Sequence, residues 1–102
     1  TQSPSEMIAA MNLGLDHVKF FPAEPSGGLK MIKAITAALT SLKVMPTGGI
    51  SASNVTEYLQ NSKIFCAGGS WMVKGDMIKA GQWDEITAKV REAAEIVKSV
   101  RG

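Results

Sequence analysis

The sequence predicts an α/β chain built from βα units, with short strands lying parallel in one sheet. Three observations carry this expectation. Short β-prone segments alternate with helical patterns along the whole chain, in the order α-β-α-β-α-β-α. The β segments lack clean polar alternation, as expected when both faces of a sheet are covered. Glycine pairs recur at 27–28, 48–49 and 68–69, about twenty residues apart, each after a strand; tight βα turns use glycine in the same way.

Each element has a local reason. Ser3-Pro4-Ser5-Glu6 is a helix start: Ser3 can cap, Pro4 suits the first helical position, and Glu6 can reach back to the cap. Met7, Ile8, Met11 and Leu15 follow at helical spacing, with Gly14 as the stop. Val18-Lys19-Phe20-Phe21 is a short β-prone run ended by Pro22. Gly27-Gly28 opens a second helix with Leu29, Ile32, Ile35 and Leu39 on one face. Val44-Met45-Pro46 forms the next strand, stopped by Thr47-Gly48-Gly49. Ser51 is expected to cap a helix carrying Val55, Tyr58 and Leu59. Ile64-Phe65-Cys66-Ala67 is expected as a third strand, followed by Gly68-Gly69-Ser70. After a loop around Lys74-Gly75-Asp76, a last helix begins near Trp83 or Asp84, with Ile86, Val90, Ala93 and Val97 at spacings of three and four.

Composition narrows the function classes. The chain has 102 residues, 45% hydrophobic and 20% charged, and no linker divides it, so one small domain over 1–102 is expected. The net charge of +2 is not gathered into a basic run, which speaks against nucleic acid as a partner. The single cysteine, Cys66, cannot form an internal disulfide. No apolar run is long enough to cross a bilayer and no leader pattern is present, so a soluble cytoplasmic protein with no membrane partner is expected.

Among candidate chemical groups, Lys19 stands out because it lies inside an apolar strand, between Val18 and Phe20. A buried amine must be paired or lose its proton. A neutral amine in a closed pocket can attack a carbonyl to form a Schiff base. The ordinary alternative is a strand-end lysine that reaches solvent or pairs with a carboxylate such as Glu24. Thr47-Gly48-Gly49-Ile50-Ser51 and Gly68-Gly69-Ser70 form a second constellation. Glycine lets the backbone approach an anion, and free N–H groups in turns bind phosphate; both segments could equally be plain tight turns. His17, the only histidine, has no ligand-spaced Asp, Glu or Cys, and nothing in the sequence forms a metal site. Cys66 reads as a small buried hydrophobe. Trp71 and Trp83 read as packing residues, the six methionines as core, and the charges of the last helix as its solvated face.

Lys19-Phe20-Phe21-Pro22-Ala23-Glu24 resembles the Schiff-base lysine strand of the 2-keto-3-deoxy-6-phosphogluconate (KDPG) aldolase family, also called KDPG/4-hydroxy-2-oxoglutarate aldolases. Met45-Pro46-Thr47-Gly48-Gly49-Ile50 and Ala67-Gly68-Gly69-Ser70-Trp71 fall in the family order, and the resemblance covers essentially the whole chain. It implies the C-terminal portion of a (β/α)8 TIM barrel: strands six to eight with flanking helices, strands one to five lying outside this chain. Such barrels usually need roughly 250 residues and often bind phosphate with the loops after their last two strands. By the resemblance, Lys19 is the catalytic nucleophile. Phe21 and Pro22 wall the pocket, Thr47 lies near the substrate chain, and Gly48, Gly49, Gly69 and Ser70 hold the phosphate.

The implied activity is a class I aldolase of the Entner–Doudoroff route, cleaving KDPG to pyruvate and glyceraldehyde 3-phosphate. No metal or cofactor is needed, because the iminium itself accepts the electron pair. The Phe20–Glu24 and Pro46–Gly49 strings look closer to the gluconate enzyme than to its galactonate relative. Partners are a phosphorylated keto acid and pyruvate, and the family tends to form homotrimers. No residue here matches the family's acid/base glutamate or the arginine and threonine that hold the substrate carboxylate, so the chain alone is expected to be nearly inactive. An aldolase for a related 2-keto-3-deoxy acid or for 4-hydroxy-2-oxoglutarate, and a non-catalytic phosphate-binding half-barrel module, are the alternatives.

Overall fold

A computed structural model describes residues 1–102. Helix α1, Pro4–Asn12, starts where Ser3 predicts. The Glu6 amide donates to the Ser3 hydroxyl at 3.3 Å, while the Glu6 carboxylate accepts from the Gln2 amide at 3.1 Å and from the Ser3 hydroxyl at 3.0 Å. The Glu6 amide, which a helix start would otherwise orphan, is thereby satisfied, and the Gln2 amide just before the cap is tied to the same turn. The Ser3 bond is the largest of the effects that hold the Glu6 carboxyl below its usual range. Gly14, in left-handed backbone just past the cap residue Leu13, ends the helix as expected.

Strand β1, His17–Phe20, pairs in parallel with β2, Lys43–Pro46, with His17 opposite Lys43 and Phe20 opposite Pro46. Helix α2, Gly28–Ala38, connects them, and α3, Val55–Leu59, follows β2. Val18, Phe20, Val44 and Pro46 are the buried positions of the two strands. The first three join Ile32 and Ile35 of α2 and Val55, Tyr58 and Leu59 of α3 in one core cluster, with Met7 of α1 and Ile64. His17 and Lys19, in the alternate positions of β1, are exposed.

This chain therefore covers its sheet on one face, and the double cover expected from the strand composition is not found. The physical reason is handedness. Parallel crossovers are right-handed, so strands added in one direction place every helix on the same side.

The expected third strand over 64–67 also differs. Two isolated parallel bridges form instead, Val44 with Ile64 and Thr47 with Gly68. The partner advances from 44 to 47 while this segment advances from 64 to 68, so it carries one residue too many for a continuous ladder. An unpaired extra residue breaks strand pairing in this way. The segment still runs beside β2, held by the Phe65 amide donating to the Val44 carbonyl at 3.2 Å and the Gly68 amide to the Pro46 carbonyl at 2.9 Å.

Ser51 does not cap α3. That helix starts three residues after the expected cap region begins, behind Asn54, and the Ser51 hydroxyl lies 2.8 Å from that of Ser53. The loop expected around Lys74-Gly75-Asp76 contains a one-turn helix, α4, Gly75–Lys79, pinned by buried Met77. Helix α5, Trp83–Arg101, begins as predicted but buries no residue fully. Ile96 and Val100 pack against the core cluster, whereas Val90 and Val97 stay exposed beside an apolar cavity of about 370 Å³. Trp83 is exposed rather than packed, while Trp71 does pack against the core. The far end of α5 is tied down by Arg101, whose guanidinium donates to the carbonyls of Leu59 at 2.8 Å, Asn61 at 3.0 Å and Ile64. No helix is long and apolar enough to cross a membrane.

Candidate active site

The chain leaves β2 through Thr47-Gly48-Gly49 and lies directly against the segment that follows β1. The Ala23 amide donates to the Thr47 carbonyl at 2.8 Å and the Glu24 amide to the Gly48 carbonyl at 3.1 Å, which extends the strand pairing beyond both strands. Gly48 and Gly49 have φ of +101° and +77°, a region that side chains rarely enter. A Cβ on Gly49 would also meet Glu24 Cβ and Cγ at 2.6 Å. The second turn shows the same economy of space: the Trp71 ring occupies the position where a Gly69 Cβ would be.

These turns enclose a cavity of about 270 Å³, and Phe21, Thr47, Gly48, Gly49, Ile50, Gly69 and Ser70 line it. Six residues singled out from sequence thus come together at one place. Pro22 borders them, since a Cβ on Gly48 would lie 3.1 Å from the Pro22 Cα. Lys19 sits two residues before Phe21, and its Nζ lies 5.5 Å from the centre of the Phe21 ring. Lys19 does not itself line the cavity and meets it only through the face of the Phe21 ring. The larger cavity of about 370 Å³ lies between α5 and residues 55–72, is almost wholly apolar, and contains neither Lys19 nor Gly48 and Gly49.

The buried amine expected at position 19 is not found within this chain. Lys19 is exposed, because it projects from the sheet face that no helix covers. Its suggested carboxylate partner is engaged elsewhere: Glu24 accepts the hydroxyl of buried Tyr58. Burial first, and then that bond, push the Tyr58 hydroxyl well above its ordinary range, so it remains a donor. His17, expected without a partner, lies 2.6 Å from the carboxylate of Asp16 and meets Phe65 edge-on at 4.8 Å. The His17 hydrogen bond is the main reason the Asp16 carboxyl is held below its usual range. Cys66 is half-buried, and burial pushes its thiol up.

The polar character of the cavity comes from the backbone. The amides of Gly48, Gly49, Ile50, Gly69 and Ser70 donate to no acceptor within the chain. The Thr47 hydroxyl oxygen is buried without a partner. No carboxylate lines the cavity. Gly49, Gly69 and Ser70 are exposed, so these donors are open to solvent, and a group of turn amides around one hollow is suited to an anion that replaces water there.

Two groups supporting this cavity were missed by sequence reasoning. Asn54 Oδ1 accepts from the Ser51 amide at 2.8 Å, and Asn54 Nδ2 donates to the Gly49 carbonyl at 2.9 Å. The Glu24–Tyr58 pair joins residues 34 apart in sequence. An Asn shortly after a glycine turn was the only local signal of the first, and nothing local signals the second.

A family model described as KDPG and KHG aldolase matches residues 1–89. The chain belongs to this aldolase family. Among KDPG/KHG aldolase relatives, it is 46% identical to the 2-dehydro-3-deoxy-phosphogluconate aldolase of Haemophilus influenzae, over 94% of this chain and 45% of that protein. It is also similar to the KDPG aldolase of Legionella pneumophila, solved with pyruvate captured at low pH as a covalent carbinolamine intermediate. There the TM-score is 0.81 and the identity 38%, over all of this chain and 46% of that one. The 2-keto-3-deoxy-6-phosphogluconate aldolase of Zymomonas mobilis ZM4, solved with 3-phosphoglycerate, gives a TM-score of 0.81 at 36% identity, over 91% of this chain and 43% of that one. The chain therefore spans a little under half the length of these aldolases.

Proposed function

We propose that the protein carrying this chain is a class I aldolase that cleaves KDPG to pyruvate and glyceraldehyde 3-phosphate. The observation that carries this reading is that the Lys19 Nζ lies 5.5 Å from the ring of Phe21, a residue that lines the cavity whose turn amides have no acceptor within the chain. The Lys19 amine attacks the keto carbon, and loss of water leaves an iminium. The substrate hydroxyl beside the carbon–carbon bond gives its proton to a base that this chain does not supply, and the bond breaks, its electron pair passing into the iminium to give an enamine while the aldehyde departs. Protonation of the enamine and hydrolysis of the imine release pyruvate and free the amine. Phe21 and Pro22 wall the pocket, and Thr47 meets the substrate chain. Gly48, Gly49, Gly69 and Ser70 hold the phosphate, whose remote binding energy positions the reacting bond.

The covalent pyruvate in the Legionella aldolase and the 3-phosphoglycerate in the Zymomonas one support the two halves of this assignment. In the same reading the chain supplies strands six to eight of a (β/α)8 barrel. Its bare sheet face, with Lys19, then turns toward the barrel interior, where the amine loses water. The assembly is a cytoplasmic homotrimer. Cleavage of 4-hydroxy-2-oxoglutarate is a second reading, supported by the KHG part of the family description; the free amides favour the phosphorylated substrate.

Reductive trapping tests the proposal. The full-length protein incubated with pyruvate and borohydride should gain a stable adduct on Lys19, and Lys19→Ala should abolish it. In this chain on its own, where Lys19 is exposed, the same substitution should change stability by no more than about 0.5 kcal/mol. A protein that binds phosphate but never traps pyruvate is the non-catalytic module instead.

A further inference from the structure

We infer that Asn54 is the positioning residue of the anion-binding turn, a role that rests on the anion reading of the cavity above. Asn54 does not line the cavity. It acts through the backbone, gripping the turn on both sides of Ile50: its Nδ2 donates to the Gly49 carbonyl at 2.9 Å and its Oδ1 accepts from the Ser51 amide at 2.8 Å.

The geometry of the peptide gives this grip a consequence. In a trans peptide the carbonyl and the following amide point in opposite directions. Tying the Gly49 carbonyl to Asn54 therefore turns the Ile50 amide away from Asn54, and that amide has no acceptor within the chain although Ile50 lines the cavity. The same bond occupies a carbonyl oxygen that would otherwise be free to repel an anion. The adjoining glycines cannot hold this arrangement themselves. With φ of +101° and +77°, Gly48 and Gly49 have no side chains to restrain their peptides.

The side-chain amide is the group suited to this task. One arm must donate and the other must accept, at adjacent backbone groups, and neither Ala nor Asp supplies both. Ser51 contributes its amide to the grip while its hydroxyl is engaged with Ser53, so no neighbouring side chain substitutes for Asn54.

The test is titration with inorganic phosphate, read from the backbone amide resonances of Gly48, Gly49, Ile50, Gly69 and Ser70, for the parent, Asn54→Ala and Asn54→Asp. In the parent all five signals should move together and saturate. Asn54→Ala should weaken phosphate binding by about tenfold, the scale of one or two lost hydrogen bonds, and abolish the response at Gly49 and Ile50. Signals in α1 and α2 should stay in place. Asn54→Asp keeps the acceptor for the Ser51 amide but cannot donate to Gly49. It should bind weakly even in high salt, where a simple charge effect is screened, and it serves as the test if Asn54→Ala does not fold. Undiminished binding in either variant overturns the role of Asn54 while leaving the anion site intact. No saturable shift in the parent overturns the anion site itself, and the inference with it.

Discussion

The Tyr58 hydroxyl is buried in the core and donates to Glu24, which in turn packs against Gly49. Its ionisation is held well above the ordinary tyrosine range by burial and by that carboxylate. In the unfolded chain the same group ionises near about pH 10. From there upward, the unfolded chain gives up a proton that the folded chain keeps, so stability falls as pH rises toward the folded value, by about 1.4 kcal/mol per pH unit. Tyr58→Phe should flatten this alkaline loss. Tyr58 is the only tyrosine, so tyrosinate absorbance reads it alone: it should titrate near pH 10 in urea and later in buffer. Coincident curves would sink the claim. Asp16 and Glu6, both held low, act in the opposite direction: what they add is present at neutral pH and lost as pH falls through their folded values, and their exposure keeps it small.

Among the elements, α1 and α5 illustrate different sources of order. Helix α1 is written locally, by Ser3, Pro4 and Glu6 at its start and Gly14 at its end. Helix α5 carries an apolar stripe at helical spacing, yet it buries no residue fully, and its docking relies on Ile96, Val100 and the three carbonyls taken by Arg101. Arg101→Ala should therefore destabilise by about 1 kcal/mol, a modest value because the group is partly in water. The effect should be local, with amide exchange quickening over 96–101 and unchanged over α2. Uniform exchange along α5 in both proteins would show that Arg101 is no anchor. The third β segment shows the limit of element-level reading. Its composition is that of a strand, but one surplus residue against β2 leaves only two bridges.

On the scale of the whole molecule, 17 of 102 residues are buried, while Leu13, Leu15, Phe21, Trp83 and other large apolar side chains are exposed. Together with the open sheet face that carries Lys19, these side chains offer apolar surface that a dye or a further segment could cover. The chain on its own should accordingly enhance ANS fluorescence and unfold with low cooperativity. Joined to the remaining length typical of its family, it should lose the dye and unfold more sharply. Equal dye binding in the short and long forms would mean that the added length does not cover these faces.

The sequence alone determined what depends on neighbours within a few residues. Those features are the α/β alternation, the Ser3 helix start, the two glycine turns and the short strand that carries Lys19, although that strand ends at Phe20 and leaves Phe21, expected within it, just outside. The conformations involved follow from side-chain branching, ring closure and missing Cβ atoms, which act locally. Only tertiary structure decided that Phe21, Thr47, Gly48, Gly49, Gly69 and Ser70 share one cavity, that Asn54 grips the turn, that Glu24 pairs with Tyr58, and that Lys19 faces an uncovered side of the sheet. Each of those depends on strand register and on which face the crossover helices occupy. Register and handedness are set by packing between segments distant in sequence, so no local pattern contains them.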